Sequence, residues 1–169
     1  MLGVRYDESM TYLFEGEEHA ALRTNARRFA ATHIAPHAHA WEEANEFPRE
    51  LYRVAAEAGI IGISYPIEDG GSGGDIGHAL AASEEVVLAG KSVGTCVGLG
   101  SHGIALPPIL RHGTAEQKQR FAAPVLRGEK VSALAITEPN AGSDVAHITT
   151  RAQRDGDHYV VNGAKTFIT

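Results

Sequence analysis

The sequence predicts an α+β chain: an all-α helical bundle over residues 1–128, followed by the beginning of an antiparallel β domain over residues 129–169. Two observations carry this. Up to Gly128 the apolar residues recur at three- and four-residue steps, the period of a helix face. Beyond it they alternate, and Asp155-Gly156 and Asn162-Gly163 separate the alternating runs as hairpin turns do. Composition agrees with a globular chain, with 43% hydrophobic and 21% charged residues, which excludes disorder and low-complexity fibres.

The elements follow in order. Leu22, Ala26, Phe29, Ala30, His33 and Ile34 share one stripe of a helix that Pro36 kinks or divides. Pro48 opens a second helix in its first turn, with Leu51, Val54, Ala55 and Ala58 on one face and Gly59 as the left-handed stop. Residues 60–66 read as a buried connector, and the glycine-rich run after Glu68 as a loop. Asp75 can cap a third helix whose expected apolar face is Ile76, Leu80, Ser83 and Val87. A glycine-rich helical stretch occupies about 92–110, and Thr114 with Gln117 forms a capping box before a helix that should bury Phe121, Val125 and Leu126. From Val131 to Ile136 the pattern is that of a strand covered on both faces. Extended runs at 147–154, 158–161 and 165–169 complete the expected sheet, whose apolar face and bare edge would need covering by more chain or a partner. The chain looks cut short at Thr169.

Charge and composition exclude several roles. Fifteen Lys and Arg against twenty-one Asp and Glu leave a net charge of -6, so no positive field gathers a nucleic acid. With Cys96 as the only cysteine there is no internal disulfide and no four-thiolate metal site, which fits a cytoplasmic setting. Acidic residues interrupt the N-terminal segment, which is unlike a secretory signal. The apolar stretch from Val86 to Leu110 is broken by five glycines, Lys91, His102 and Pro107-Pro108, so no membrane span is expected. Gly98-x-Gly100-x-x-Gly103 has the dinucleotide fingerprint without the preceding strand it requires. His33, His37 and His39 lack a carboxylate or thiol at ligand spacing, and no metal is expected there.

The segment with chemistry in it runs from Thr137 to Asp144, TEPNAGSD. Two hydroxyls, a fixed φ and a glycine leaving a buried strand can turn backbone N–H groups onto a planar polar ligand or a phosphate.

At this point the chain resembles the N-terminal part of the acyl-CoA dehydrogenases. The resemblance rests on Ala26-x-x-Phe29-Ala30, Ile34-x-Pro36, Phe47-Pro48-x-x-Leu51, Gly59-x-x-Gly62 and Pro66-x-x-x-Gly70-Gly71-x-Gly73. It continues in Gly113-Thr114-x-x-Gln117-Lys118, the block from Ala135 to Asp144, and the run from Gly156 to Thr169. It implies an N-terminal α bundle, a central β domain and a C-terminal α bundle, in homotetramers with one FAD per subunit. It further implies α,β-dehydrogenation of an acyl-CoA thioester, with electrons passed to an electron-transferring flavoprotein.

By resemblance, residues 134–143 form a first flavin-contacting segment containing Leu134, Ile136, Thr137, Gly142 and Ser143. Thr137 would bond the isoalloxazine, and Ser143 would reach both FAD and the CoA side of the substrate. Phe167, Ile168 and Thr169 would form the second segment. Gly98, Gly100 and Gly103 would line the end of the acyl pocket, leaving depth for a long or branched tail. Phe167 stands where many relatives have Trp, and Leu134 where some have Tyr. The family's catalytic glutamate comes from the C-terminal bundle, so no catalytic base is expected before Thr169, and these 169 residues alone should not turn over substrate. Glu138 is expected to be structural. The competing readings are a flavin oxidase or monooxygenase of the same fold, and a non-catalytic truncated partner subunit.

Overall fold

The computed structural model describes residues 16–168. Eight helical segments precede one hairpin: α1 (Glu17–His33), α2 (Ala38–Ala44), α3 (Glu50–Glu57), α4 (Ile76–Gly90), α5 (Val93–Gly100), α6 (His102–His112), α7 (Ala115–Gln117) and α8 (Ala123–Leu126), then β1 (Arg151–Asp155) and β2 (His158–Asn162). A π-helical turn, Lys118–Ala122, makes α7 and α8 one continuous rod.

The core lies in the bundle, where Phe29, Ile34, Leu51, Val86, Leu106 and Val125 pack together. Helix α1 buries Ala26, Phe29 and Ala30 of the expected stripe, while His33 stays exposed as the last helical residue. The chain divides at Pro36, between α1 and α2. Asp75 caps α4, and Thr114 and Gln117 close their capping box, as their positions predict. Gly128 ends the rod at φ +72, where a Cβ would stand 2.3 Å from the Tyr52 carbonyl oxygen, so both conformation and space demand glycine.

Helix α4 differs from the expectation. It buries Gly77, Ala81, Ala82, Glu85, Val86 and Gly90, while Ile76 and Leu80 face outwards. The cause is close approach: a Cβ on Gly90 would lie 3.1 Å from Ile34 Cγ2, so α1 accepts small residues where large ones would hold the helices apart. Glu85 sits inside because Arg27 reaches it at 2.8 and 2.9 Å and Arg23 at 3.4 Å. Arg27 first, then Arg23, hold its carboxyl below the usual range.

One further expectation is corrected. Phe121 is 47% exposed, because the π turn rotates it away from the face that carries Val125 and Leu126. Helix α6 runs through Pro107 and Pro108 to His112. The carbonyls of Gly103 and Ile104, which those prolines deprive of donors, belong to exposed residues that water can serve. Taken across the break at Ser101, Val93–His112 is long and apolar enough to cross a membrane on length and composition, at mean hydropathy 1.3. Its Leu99, Leu106 and Leu110 nevertheless pack into the bundle core.

After Gly128 the only ladder among the described residues is the antiparallel hairpin, Arg151 paired with Asn162 through Asp155 with His158. Its central turn residues are Gly156 and Asp157, and only Gly156 has positive φ, the φ pattern of a II′ turn and not of the expected I′. The segments 131–136 and 165–168 form no strand, since no neighbouring strand offers them a ladder among the described residues, and the second bends at Phe167, whose φ is +56. Leu134 and Ile136, expected to be covered, are 41% and 38% exposed.

Candidate functional site

The loop after Ile136 is shaped by one carboxylate. Pro139 and Asn140 make the tip of a turn closed by Glu138 N–H to the Ala141 carbonyl at 2.8 Å and the return bond at 3.2 Å. The Glu138 side chain turns inward and is only 5% exposed. Its oxygens accept from Thr149 N (2.7 Å), Thr149 Oγ1 (2.8 Å), Thr150 N (2.9 Å) and Lys165 Nζ (3.0 Å). The Thr150 side chain and the two backbone N–H groups, with Lys165, push its carboxyl far below the usual range. Of the two threonine hydroxyls, that of Thr149 is the one in hydrogen-bond geometry. An acid so held is an ionised structural acceptor and not a proton shuttle.

Lys165 also donates to the Ile136 carbonyl at 2.7 Å, and Thr166 N–H donates to the Thr137 carbonyl at 3.0 Å. These bonds lay residues 136–138 beside 165–166, although 27 or more positions separate them in sequence. Gly163 permits the approach: a Cβ there would lie 2.2 Å from Thr150 Oγ1.

Around this knot, Leu134, Ile136 and Ile168 are partly exposed and Phe167 is 94% exposed, at a positive φ of 56. Gly142 has open space where a Cβ would stand. The hydroxyls of Thr137 and Ser143 make no hydrogen bond among the described residues. Thr169 lies outside the described residues. The arrangement is an apolar edge beside uncommitted hydroxyls, a donor and surface set that fits a flat ring with one polar rim.

Upstream along the same chain, Val131, Ser132 and Ala133 form one wall of a groove of about 840 Å³, opposite Gly98, Gly100, Ser101 and Ile104. The two helix glycines differ. A Cβ on Gly98 would strike the Phe47 ring at 2.5 Å, so its missing side chain admits Phe47, and its carbonyl accepts from Tyr52 Oη at 3.1 Å. Gly100 faces open space. Gly103 lines a different, smaller cavity of about 220 Å³. Both Gly98 and Gly100 lie in α5, which follows helix α4 with no strand before it among the described residues, and this disposes of the dinucleotide fingerprint.

His102 is a member of this region that sequence spacing did not single out. It is 3% exposed, its Nδ1 lies 3.3 Å from Ser132 Oγ, and burial pushes its pKa down. It thereby ties α6 to the segment leading into the loop. Thirty positions separate the pair, so no local pattern announces it.

An α bundle opening into a β segment, with a threonine and serine loop at the junction, defines a class, and comparison with known proteins agrees. Residues 16–129 match the acyl-CoA dehydrogenase N-terminal domain and residues 133–169 the acyl-CoA dehydrogenase middle domain. The chain belongs to the acyl-CoA dehydrogenase family. Among relatives, it is 40% identical over 157 residues to the 3-(aryl)acrylate reductase of Clostridium sporogenes, covering 93% of this chain and 41% of that protein. It is 37% identical over 155 residues to the mitochondrial isovaleryl-CoA dehydrogenase of Bos taurus, covering 90% and 36%. Among solved structures, a Mycobacterium smegmatis protein ascribed to the acyl-CoA dehydrogenases superposes with a TM-score of 0.89 at 48% identity, over 93% of this chain and 41% of that one. An acyl-CoA dehydrogenase complexed with FAD from Bacillus anthracis gives 0.75 at 31%, over 89% and 26%. The chain thus spans about two fifths of the length of the curated relatives it matches.

Proposed function

We propose that the protein to which these residues belong binds FAD and desaturates an acyl-CoA thioester between Cα and Cβ. Bound FAD supplies the hydride acceptor. In this reading Leu134, Ile136, Gly142, Phe167 and Ile168 hold the ring, Thr137 and Thr169 donate to its polar edge, and Ser143 serves both cofactor and CoA. The groove lined by Gly98 and Gly100 takes a long or branched acyl tail, with its depth at Gly100 and not at Gly98, where Phe47 fills the space. A glutamate outside these 169 residues removes the α-proton. Electrons pass to an electron-transferring flavoprotein, the subunits form a homotetramer, and the enzyme works in the cytoplasm.

The observation that carries the reading is the Lys165 and Thr166 tie, which sets residues 136–138 beside 165–166, with Phe167 exposed and the Thr137 and Ser143 hydroxyls uncommitted among the described residues. Support comes also from the relative with FAD in its structure. Preorganised donors at the flavin edge would stabilise the negative charge gained on reduction.

The test uses the complete protein. It should purify yellow and lose its visible flavin band anaerobically on addition of isovaleryl-CoA or a long-chain acyl-CoA. A protein that stays colourless after incubation with FAD overturns the proposal. Oxygen consumption at turnover rate would assign it to the oxidases instead, and an optimum at butyryl-CoA would refute the deep groove. A second reading has one specific support, the similarity to an arylacrylate reductase. The same site run in reverse would reduce an α,β-unsaturated acyl group; net turnover of an enoyl-CoA with a supplied reduced electron carrier, and none of the saturated acyl-CoA with an oxidised one, distinguishes that direction.

A further inference from the structure

The first turns of α1 and α4 lie side by side, and three side chains from them converge away from the groove and loop described above. Glu18, His19 and His78 each offer a ligand atom, all within 4.8 Å of one another. The rings of His19 and His78 stack with centroids 4.3 Å apart, and His78 Nε2 stands 3.7 Å from Glu18 Oε1. The other nitrogen of His78 fixes its tautomer. Nδ1 has two neighbours, Asp75 Oδ1 at 2.7 Å and the Asp75 backbone N–H at 3.3 Å; the nearer is a carboxylate that can only accept, which assigns the proton to Nδ1 and leaves the longer backbone contact without an acceptor. When the imidazole is neutral, Nε2 therefore presents a lone pair towards Glu18. Asp75 is itself anchored, because the same oxygen caps α4 by accepting from His78 N–H at 3.0 Å.

An imidazole whose second nitrogen is held by a carboxylate is the arrangement that orients a metal-ligating histidine. The spacing suits it once the His19 ring turns out of its stack, since lone pairs in nearly parallel ring planes do not converge on one ion. Bonds of 2.0–2.2 Å in a tetrahedral site put donor atoms about 3.4 Å apart. The 3.7 Å between His78 and Glu18 is near that value, and Glu18, 72% exposed, is free to close the rest. The positive helix ends oppose a cation, but at roughly half a charge each they are outweighed by the full charges of Glu18 and Asp75.

We propose that Glu18, His19 and His78 form a site for a divalent cation of the zinc class, with water in the fourth position and Asp75 orienting His78. Two nitrogens and one carboxylate oxygen are a zinc-type donor set. The ion would clip α1 to α4.

The experiment uses the full 169-residue chain, stripped with a chelator, then titrated with Co²⁺ for its visible tetrahedral bands and with Zn²⁺ by calorimetry. Stoichiometric binding and a raised thermal midpoint with Zn²⁺ are expected. His19→Ala and His78→Ala should abolish both, and Glu18→Gln should weaken them. Asp75→Asn keeps an N-cap acceptor, so it should weaken binding about 10- to 100-fold while leaving the metal-free midpoint in place. A chain with His33, His37 and His39 all changed to alanine should bind as before. Absence of saturable binding, its survival in both single histidine variants, or its loss in the triple variant would overturn the site.

Discussion

Glu138 shows how much one side chain can organise. Its carboxylate gathers two consecutive backbone N–H groups, a hydroxyl and a lysine, and so joins the turn at 138–141 to residues 149–150 and 165. In Glu138→Gln one oxygen becomes an NH2 that faces donors, leaving at least one N–H without a partner. The expected result is a lower thermal midpoint and faster amide exchange at Thr149 and Thr150, with the helical circular dichroism unchanged. The pH dependence follows from the depressed carboxyl. Its stabilisation is whole above the ordinary value of 4.5 and is lost as pH falls towards the depressed folded value. The gap between wild type and variant should therefore be constant at neutral pH and shrink only in acid. A gap that narrowed already between neutrality and 4.5 would mean that Glu138 is not the ionised acceptor described.

At the scale of elements, helix α5 makes two glycines with opposite requirements. Gly98→Ala puts a methyl group into the Phe47 ring, an overpacking that should cost about 1–3 kcal/mol in urea unfolding. Gly100→Ala meets nothing and should gain about 0.5–1 kcal/mol of helix propensity while shallowing the groove. Local signals in the sequence were sufficient for elements set by neighbours in the chain: the caps at Asp75 and Thr114, the stop at Gly59, the division at Pro36 and the existence of the hairpin. They failed where the deciding partner is distant. The face of α4 depends on how closely α1 approaches, and a pattern of large apolar residues cannot report that small residues and a paired Glu85 will be chosen instead. The same holds for the candidate site. The Thr137–Asp144 block stood out by its composition, whereas Lys165 to Glu138 and His102 to Ser132 are pairings across 27 and 30 positions that no spacing encodes.

Across the molecule, stability is unevenly distributed. The bundle has a contiguous buried core, with Ile34 and Leu106 fully buried, and Glu85 bridging α1 and α4 through Arg27. Every residue of β1 and β2 is exposed, so the hairpin is held by its own ladder and by the ties around Glu138. A lone two-stranded hairpin is marginal in water. The two regions should therefore open separately in hydrogen exchange, with 151–162 exchanging through local opening and the core helices only through global unfolding. Leu106→Ala provides the decisive comparison. Removing a fully buried side chain should cost the bundle about 2–5 kcal/mol and speed exchange in α1 and α4 by the matching factor. It should leave the hairpin amides as they were, because none of their bonds is made with the core. If the hairpin amides accelerated in step with the bundle, the chain would be one cooperative unit, and residues 129–168 would owe their order to the helices and not to the Glu138 knot.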